Sequence, residues 1–198
     1  MNRLAIIFVT IVFFSCQSTK QNQEETATEL HVNHESHQPS EPEKKKSKSP
    51  RTAAMAMVGN NHIHIDYSSP SVRGRQIFGG LVAFGEVWVT GAHKATNINF
   101  DKDVIIGGKK ITKGKYGLFT IPGQTEWTII INELWDMHLA DHYDQQFDVV
   151  RVATEVKTLD PLVEALSFEV VSTSDTKGTV SIKWANSSVA FAVENSTK

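Results

Sequence analysis

Hydrophobic and polar residues trade places at nearly every step through the C-terminal two-thirds of the chain. Val180, Ile182 and Trp184 fall on one side of an extended backbone and Ser181 and Lys183 on the other, and Val189, Phe191 and Val193 repeat the spacing. A period of two is that of a strand with one face against a core. Trp127, Ile129 and Ile131 follow the same rule, and Ile130 between them predicts a strand buried on both sides. Turn signals separate these runs at Ser69-Pro70, Gly79-Gly80, Gly107-Gly108, Lys113-Gly114, Pro122-Gly123 and Asp175 to Gly178. About ten short strands at such spacing predict an all-β domain, an antiparallel sandwich or a barrel-like fold. Ile106-Gly107-Gly108-Lys109 predicts a tight hairpin joining Val104-Ile105 to Lys110-Ile111, because glycine supplies the positive φ that such turns require. Only Leu134 to Gln146 has helical spacing, with Trp135, Leu139 and Tyr143 four apart. Its charge fits a short helix or an excursion over a sheet edge equally well, so at most one short helix is expected.

The N-terminal quarter does not alternate. Met1-Asn2-Arg3 precedes the apolar run Leu4 to Phe14, broken only by Thr10, and Ser15-Cys16 follows. One positive charge, a short apolar run and a small residue at its end predict a secretory signal over residues 1–15. A membrane-crossing helix needs about 20 apolar residues, more than this run holds. Phe13-Phe14-Ser15-Cys16 resembles a loosely written bacterial lipobox, which implies cleavage before Cys16 and acylation of that cysteine. Residues 16–50 then read as a lipidated tether. From Gln17 to Pro50, 11 of 34 residues are charged and only Ala27, Leu30 and Val32 are aliphatic, too little apolar surface to offset the entropy of ordering. His31, His34 and His37 recur within it, and a polar linker accounts for them. The expected location is the cell envelope, outside the cytoplasm, with the membrane as partner through the lipid anchor. The β domain is expected over residues 51–194, with a tail at 195–198.

Composition narrows the function. Lys and Arg number 20 against 22 Asp and Glu, a net charge of −2, so no basic stripe suggests a nucleic-acid partner. The single cysteine cannot form an intrachain disulfide. The chain has no phosphate-cradling glycine loop with Lys-Ser/Thr and no Gly-x-Ser-x-Gly elbow.

Candidate chemistry centres on histidine. In His62-Ile63-His64-Ile65-Asp66 a strand puts both imidazoles and the carboxylate on one face and the isoleucines on the other. Two such imidazoles can reach one cation, with further ligands expected from His93 and His138 and with Asp141 and His142 behind them. Four imidazoles suit Zn²⁺ or Cu²⁺; solvated, hydrogen-bonded histidines are the plainer reading. Arg73 and Arg75, flanking Gly74, could fork onto a carboxylate or phosphate of a ligand, or pair with Asp66 or Glu86 and fix their loop. Trp88, Trp127 and Trp184 lie in apolar runs and are expected in the core. Trp135 and Tyr143, in a polar segment, are expected to line an exposed groove and stack on sugars or peptides.

Longer motifs carry a family resemblance. Asp66-Tyr67-Ser68-Ser69-Pro70-Ser71-Val72-Arg73-Gly74-Arg75-Gln76-Ile77-Phe78-Gly79, Gly85-Glu86-Val87-Trp88 and Thr90-Gly91-Ala92 form one block. Gly114-Lys115-Tyr116-Gly117-Leu118-Phe119-Thr120-Ile121-Pro122, Glu126-Trp127-Thr128-Ile129-Ile130, Asp148-Val149-Val150-Arg151-Val152 and Ser181-Ile182-Lys183-Trp184 continue it. Over Ser49 to Glu194 the chain resembles the bacterial family known as domain of unknown function 2911. The resemblance implies an envelope protein of Bacteroidetes type with a β-rich domain and no established activity. The family often reads Val-Trp-Arg-Thr-Gly-Ala-Asn-Glu-Ala-Thr where this chain has Val89, His93 and Lys94 at the third, seventh and eighth places. The leading expectation is a ligand- or partner-binding module with a metal site at His62, His64, His93 and His138. The rival is a metal-dependent, hydrolase-like enzyme using the same four histidines.

Overall fold

The structure, a computed structural model, describes residues 47–196. The expected signal segment, the acylated Cys16, the tether histidines His31, His34 and His37 and the last two residues lie outside the described residues. Within the described residues ten strands form: β1 (Arg51–Val58), β2 (Asn61–Ser68), β3 (Asn97–Phe100), β4 (Val104–Ile106), β5 (Lys109–Ile111), β6 (Gly114–Ile121), β7 (Glu126–Asn132), β8 (Asp148–Glu155), β9 (Lys157–Ser172) and β10 (Lys177–Asn195). Six pair in the order β1-β2-β3-β6-β7-β8 and four in the order β5-β4-β10-β9, every ladder antiparallel. The result is the expected all-β sandwich.

Period-two patterning builds the core. Ile63 and Ile65 of β2, Ile98 and Phe100 of β3, Leu118 of β6 and Ile129 and Ile131 of β7 face Val180, Ile182, Trp184, Phe191 and Val193 of the smaller sheet in one buried cluster. Gly107 and Gly108, at φ 57° and 77°, make the predicted tight turn between β4 and β5. Positive φ at both central positions suits the right-handed twist of the two strands.

β6 and β7 are buried on their other face too. Phe119 and Ile130 point away from the sandwich into a smaller cluster with Val89, Ala95 and Met137. Two loops, residues 87–96 and 133–147, supply that cover. The second is the segment whose spacing allowed a helix. It is irregular, with one 3-10 turn at Gln145–Phe147, and the described residues hold no α-helix. Side chains at its ends capture its amides: Asn132 Oδ1 accepts from Leu134 N at 2.8 Å and Asp144 Oδ1 from Gln146 N at 2.9 Å. Such local bonds compete with helix formation. In mid-segment Leu139 N donates to the His93 carbonyl at 2.7 Å and Ala95 N to that of Met137 at 3.0 Å, tying the loops together.

Candidate functional site

The 87–96 loop is clamped to the sheet by threonines. Trp88 and Thr120 exchange backbone hydrogen bonds of 2.8 and 3.0 Å. The fully buried Thr90 and Thr96 then lock the turn: Thr90 Oγ1 donates to Thr120 Oγ1 at 3.1 Å and Thr96 Oγ1 to the Thr90 carbonyl at 2.9 Å. Gly91 passes so close to β2 that an added Cβ would sit 3.1 Å from the Ser68 carbonyl oxygen.

Two clefts open beside this loop and share His93. The first, about 450 Å³, is lined mainly by apolar side chains, including Leu81, Val87, Val89, Leu139 and Trp88, with Arg75 and Glu86 as its charged groups and Trp184 in its wall. Trp88 stacks on Trp184 with ring centroids 5.7 Å apart and planes 19° apart. The second, about 430 Å³, lies over the outer face of β2, β3 and β6. It has more charged side chains than the first, with Arg51, Asp66, Lys115 and Asp136 beside Asn97 and Trp135 among its lining residues. Lys115 Nζ lies 4.1 Å from the centre of the Trp135 ring.

Strain and unmet hydrogen-bonding capacity concentrate here. Among the described residues five other than glycine have positive φ, and four surround the first cleft. His93 (φ 63°) and Leu139 (φ 51°) line it, Thr90 (φ 52°) lies between the lining residues Val89 and Gly91, and Ala185 (φ 52°) follows Trp184. Ala185 sits at register shifts in the β9–β10 ladder, and bulges of this kind re-aim neighbouring side chains. Left-handed conformations cost free energy for such residues and cluster at functional sites. Among the described residues two buried side-chain atoms lack a hydrogen-bond partner, the donor Trp184 Nε1 and the acceptor Asn97 Oδ1. One belongs to a residue of each cleft.

A larger depression of about 900 Å³ lies among Asp101, Lys102, Asp103, Lys110 and Lys113. Its charges already serve one another: Lys110 Nζ is 3.0 Å from Asp103 Oδ2, and Lys113 N donates to Asp103 Oδ1 at 3.0 Å. The backbone bond from Lys113 and then the Lys110 side chain hold the Asp103 carboxyl below its ordinary range. It is a poorer ligand site than the clefts.

The four histidines proposed as one metal centre form two pairs instead. His62 and His64 share the outer face of β2, ring centroids 5.9 Å apart. His93 and His138 stack at 6.3 Å where the two loops meet, placed by the bridge between Lys94 and His138. Among the described residues no three His, Cys, Asp or Glu side chains converge for a metal ion. Strand β2 fixes the first pair and the two loops fix the second, so the chain gives the pairs separate supports.

Arg73 and Arg75 bond to backbone carbonyls, not to the expected partners Asp66 and Glu86. Arg73 Nη2 donates to Lys48 O at 3.0 Å; Arg75 donates to Val72 O at 3.1 Å and Ser71 O at 2.6 Å. The reason is local: Ser71 bridges to Ala165 of β9, which fixes the 70–72 segment beside both guanidinium groups. Arg75 still reaches the first cleft, whereas Arg73 lines neither. Trp135 lines the second cleft. Tyr143 lines neither: its hydroxyl donates to Asp148 Oδ2 at 2.8 Å and accepts from Arg151 Nη2 at 2.7 Å. Burial, and next the Asp148 carboxylate, push its pKa up to about 12. Trp127 is buried in β7 as expected. Trp88 lies outside the named strands, half-buried at the cleft. Trp184 is both core and cleft wall, and Asn97, Glu86 and the apolar lining had no sequence signal beyond the alternation that turns Asn97 outward.

The geometry defines a class first: an antiparallel two-sheet domain with two loop-framed clefts, one over the outer face of the larger sheet and one reaching the core residue Trp184 of the smaller. A family model described as a protein of unknown function (DUF2911) matches residues 49–193, nearly the whole described domain. The chain belongs to that family. No curated protein and no solved structure matches the chain.

Proposed function

We propose that this chain is a lipid-anchored binding protein of the cell envelope and that a short peptide-like ligand lies across the two clefts at His93. The observation that carries this reading is the meeting of the two clefts at His93, one walled mainly by apolar side chains and the other carrying Arg51, Lys115 and Asp136. A peptide suits both: its polar backbone and termini meet Arg51, Lys115 and Asp136 in the second cleft. Its apolar side chain fits the wall of Trp88, Leu81 and Leu139. An apolar pocket with few polar groups is the usual form of a small-ligand site.

The rival, a metal-dependent enzyme built on His62, His64, His93 and His138, is less well supported. A catalytic zinc takes about three protein ligands with one position open, and these histidines come two by two. The envelope location rests on the leader and on Cys16. Several acyl chains anchor firmly where one binds reversibly.

Four tryptophans give four indole N–H resonances. Titrating ¹⁵N-labelled protein with tri-alanine, tri-leucine and tri-phenylalanine should move the Trp184 and Trp88 signals with an apolar peptide, and Trp88→Ala should weaken binding. Unmoved indole signals with all three peptides overturn the binding reading. Inhibition of the lipoprotein signal peptidase should accumulate unprocessed precursor, and unchanged processing overturns the anchor.

A further inference from the structure

A separate surface on the same sheet carries an inference independent of the peptide reading. We propose that Met55, Met57, His62 and His64 form a binding site for a soft monovalent cation, Cu(I), on the bare outer face of β1 and β2.

The register places the donors. Met57 lies directly opposite His62 and Met55 directly opposite His64. Residues facing each other across an antiparallel ladder share a face, with Cβ atoms about 4.5–5.5 Å apart. Same-face neighbours along one strand are about 7 Å apart, twice the rise per residue. Four Cβ atoms thus mark a small rectangle, above which long thioether arms and imidazoles can converge. The turn at Gly59 (φ 57°) and the Val58–Asn61 pair pin this register. A one-residue slip would turn the fully buried Val58, Ile63 and Ile65 to solvent.

The side chains are also unusual for an open strand face. Met55 and Met57 are 54% and 53% exposed while Ala54 and Ala56 turn inward, so the methionines are not there to fill the core. Each histidine has a carboxylate beside one ring nitrogen. His64 Nε2 is 3.1 Å from Asp66 Oδ1, and His62 Nδ1 is 4.0 Å from Asp101 Oδ2. A proton on His64 Nε2 makes the 3.1 Å contact a hydrogen bond and leaves His64 Nδ1 as a lone-pair donor, whereas at 4.0 Å Asp101 is a charged neighbour of His62 and not a hydrogen-bond partner. The Asp66–His64 pair is the outer-shell arrangement of metal-ligating histidines, where a carboxylate fixes the tautomer and raises ligand basicity. Asp66 is thereby occupied, Asp101 accepts from Asn99 Nδ2 at 3.1 Å, and the remaining donors are two imidazoles and two thioethers. Thioethers favour Cu(I), whereas oxygen-preferring cations such as Mg²⁺ and Ca²⁺ find no ligand set in this group.

The test is a Cu(I) titration of the full chain carrying Cys16→Ser, which removes the competing thiol, against the chromophoric chelator bicinchoninate. The expected result is one tight equivalent with sulfur scatterers in the copper K-edge absorption spectrum. Asp66→Asn should weaken it about 10–100-fold, the usual effect of losing an outer-shell partner, and Met55→Leu/Met57→Leu should weaken it further. Circular dichroism should match the parent for both, because the altered side chains are at least partly exposed. His31→Gln/His34→Gln/His37→Gln should leave the tight equivalent intact. Parental Cu(I) affinity in the double methionine variant, loss of the tight equivalent in the tether variant, or displacement of Cu(I) by equimolar Zn²⁺ would each overturn the proposal.

Discussion

The outer face of the six-stranded sheet is two surfaces. Over β6 and β7 it is apolar, with Phe119 and Ile130 fully buried beneath the 87–96 and 133–147 loops. Around Met55, Met57, His62 and His64 of β1 and β2 none of the described loops forms such a cover, and the face presents methionine, histidine and carboxylate. The same pleat therefore has opposite consequences. Where alternate residues are apolar, the chain must send loops back across the sheet, and the loops leave clefts at their margins. Where they are polar or polarizable, nothing need cover them. The clefts follow the edges of the loops, the second of them reaching Arg51 and Asp66 at the border of the two halves, and the solvent-facing donor atoms lie beyond it on β1 and β2.

Removing the apolar support should have the largest effect. Phe119→Ala should cost about 3–5 kcal/mol in urea unfolding, the range for deleting a buried aromatic ring, and should loosen both loops. A loss under ~1 kcal/mol would mean that the loops stand without the cluster. Gly117→Ala comes next. Its Cβ would lie 2.5 Å from the Leu134 carbonyl oxygen, where the second loop leaves the sheet. The expected penalty is about 1–3 kcal/mol, as for other overpacked sites. The added Cβ would also lie 2.5 Å from the Phe119 ring, so faster hydrogen exchange should appear in residues 133–147 and extend to residues 87–96.

Tyr143→Phe should have a smaller effect, of about 1 kcal/mol near neutral pH, the net value of one hydrogen bond. The tyrosine pKa is about 12 in the folded chain against an ordinary value of 10, so its contribution is present below pH 10 and is lost as pH rises toward 12. The wild type should therefore lose stability more steeply than Tyr143→Phe across that interval, and parallel curves would remove the Tyr143–Asp148 bond from the explanation. Met55→Leu/Met57→Leu should have the smallest effect, within about 0.5 kcal/mol in unfolding, as for surface changes in general. A larger loss would make those methionines part of the fold.

The sequence made the strands readable because each needs only the identity of alternate residues. Val180-Ile182-Trp184 and the double-sided Ile130 required nothing more distant, and Gly107-Gly108 declared its turn through a backbone demand that glycine meets. The sites were less readable. His62, His64 and Asp66 share a face by period alone, but their methionine neighbours follow only once the turn at Gly59 sets the register. His93 meets His138 through a bridge between loops 45 residues apart in sequence, which no local pattern contains. Trp184 reads as core in the sequence because a satisfied and an orphaned indole are spelled alike. The helical spacing of Trp135, Leu139 and Tyr143 misleads for a related reason: Asn132 and Asp144 divert the amides that a helix would use.

One spectrum examines the division of the outer face directly. ¹⁵N-labelled protein carrying Cys16→Ser is titrated first with Cu(I) and then with tri-leucine. Cu(I) should shift the imidazoles of His62 and His64 and leave the Trp184 indole unmoved, and tri-leucine should do the reverse. Perturbation of the same residues by both additions would contradict two independent surfaces.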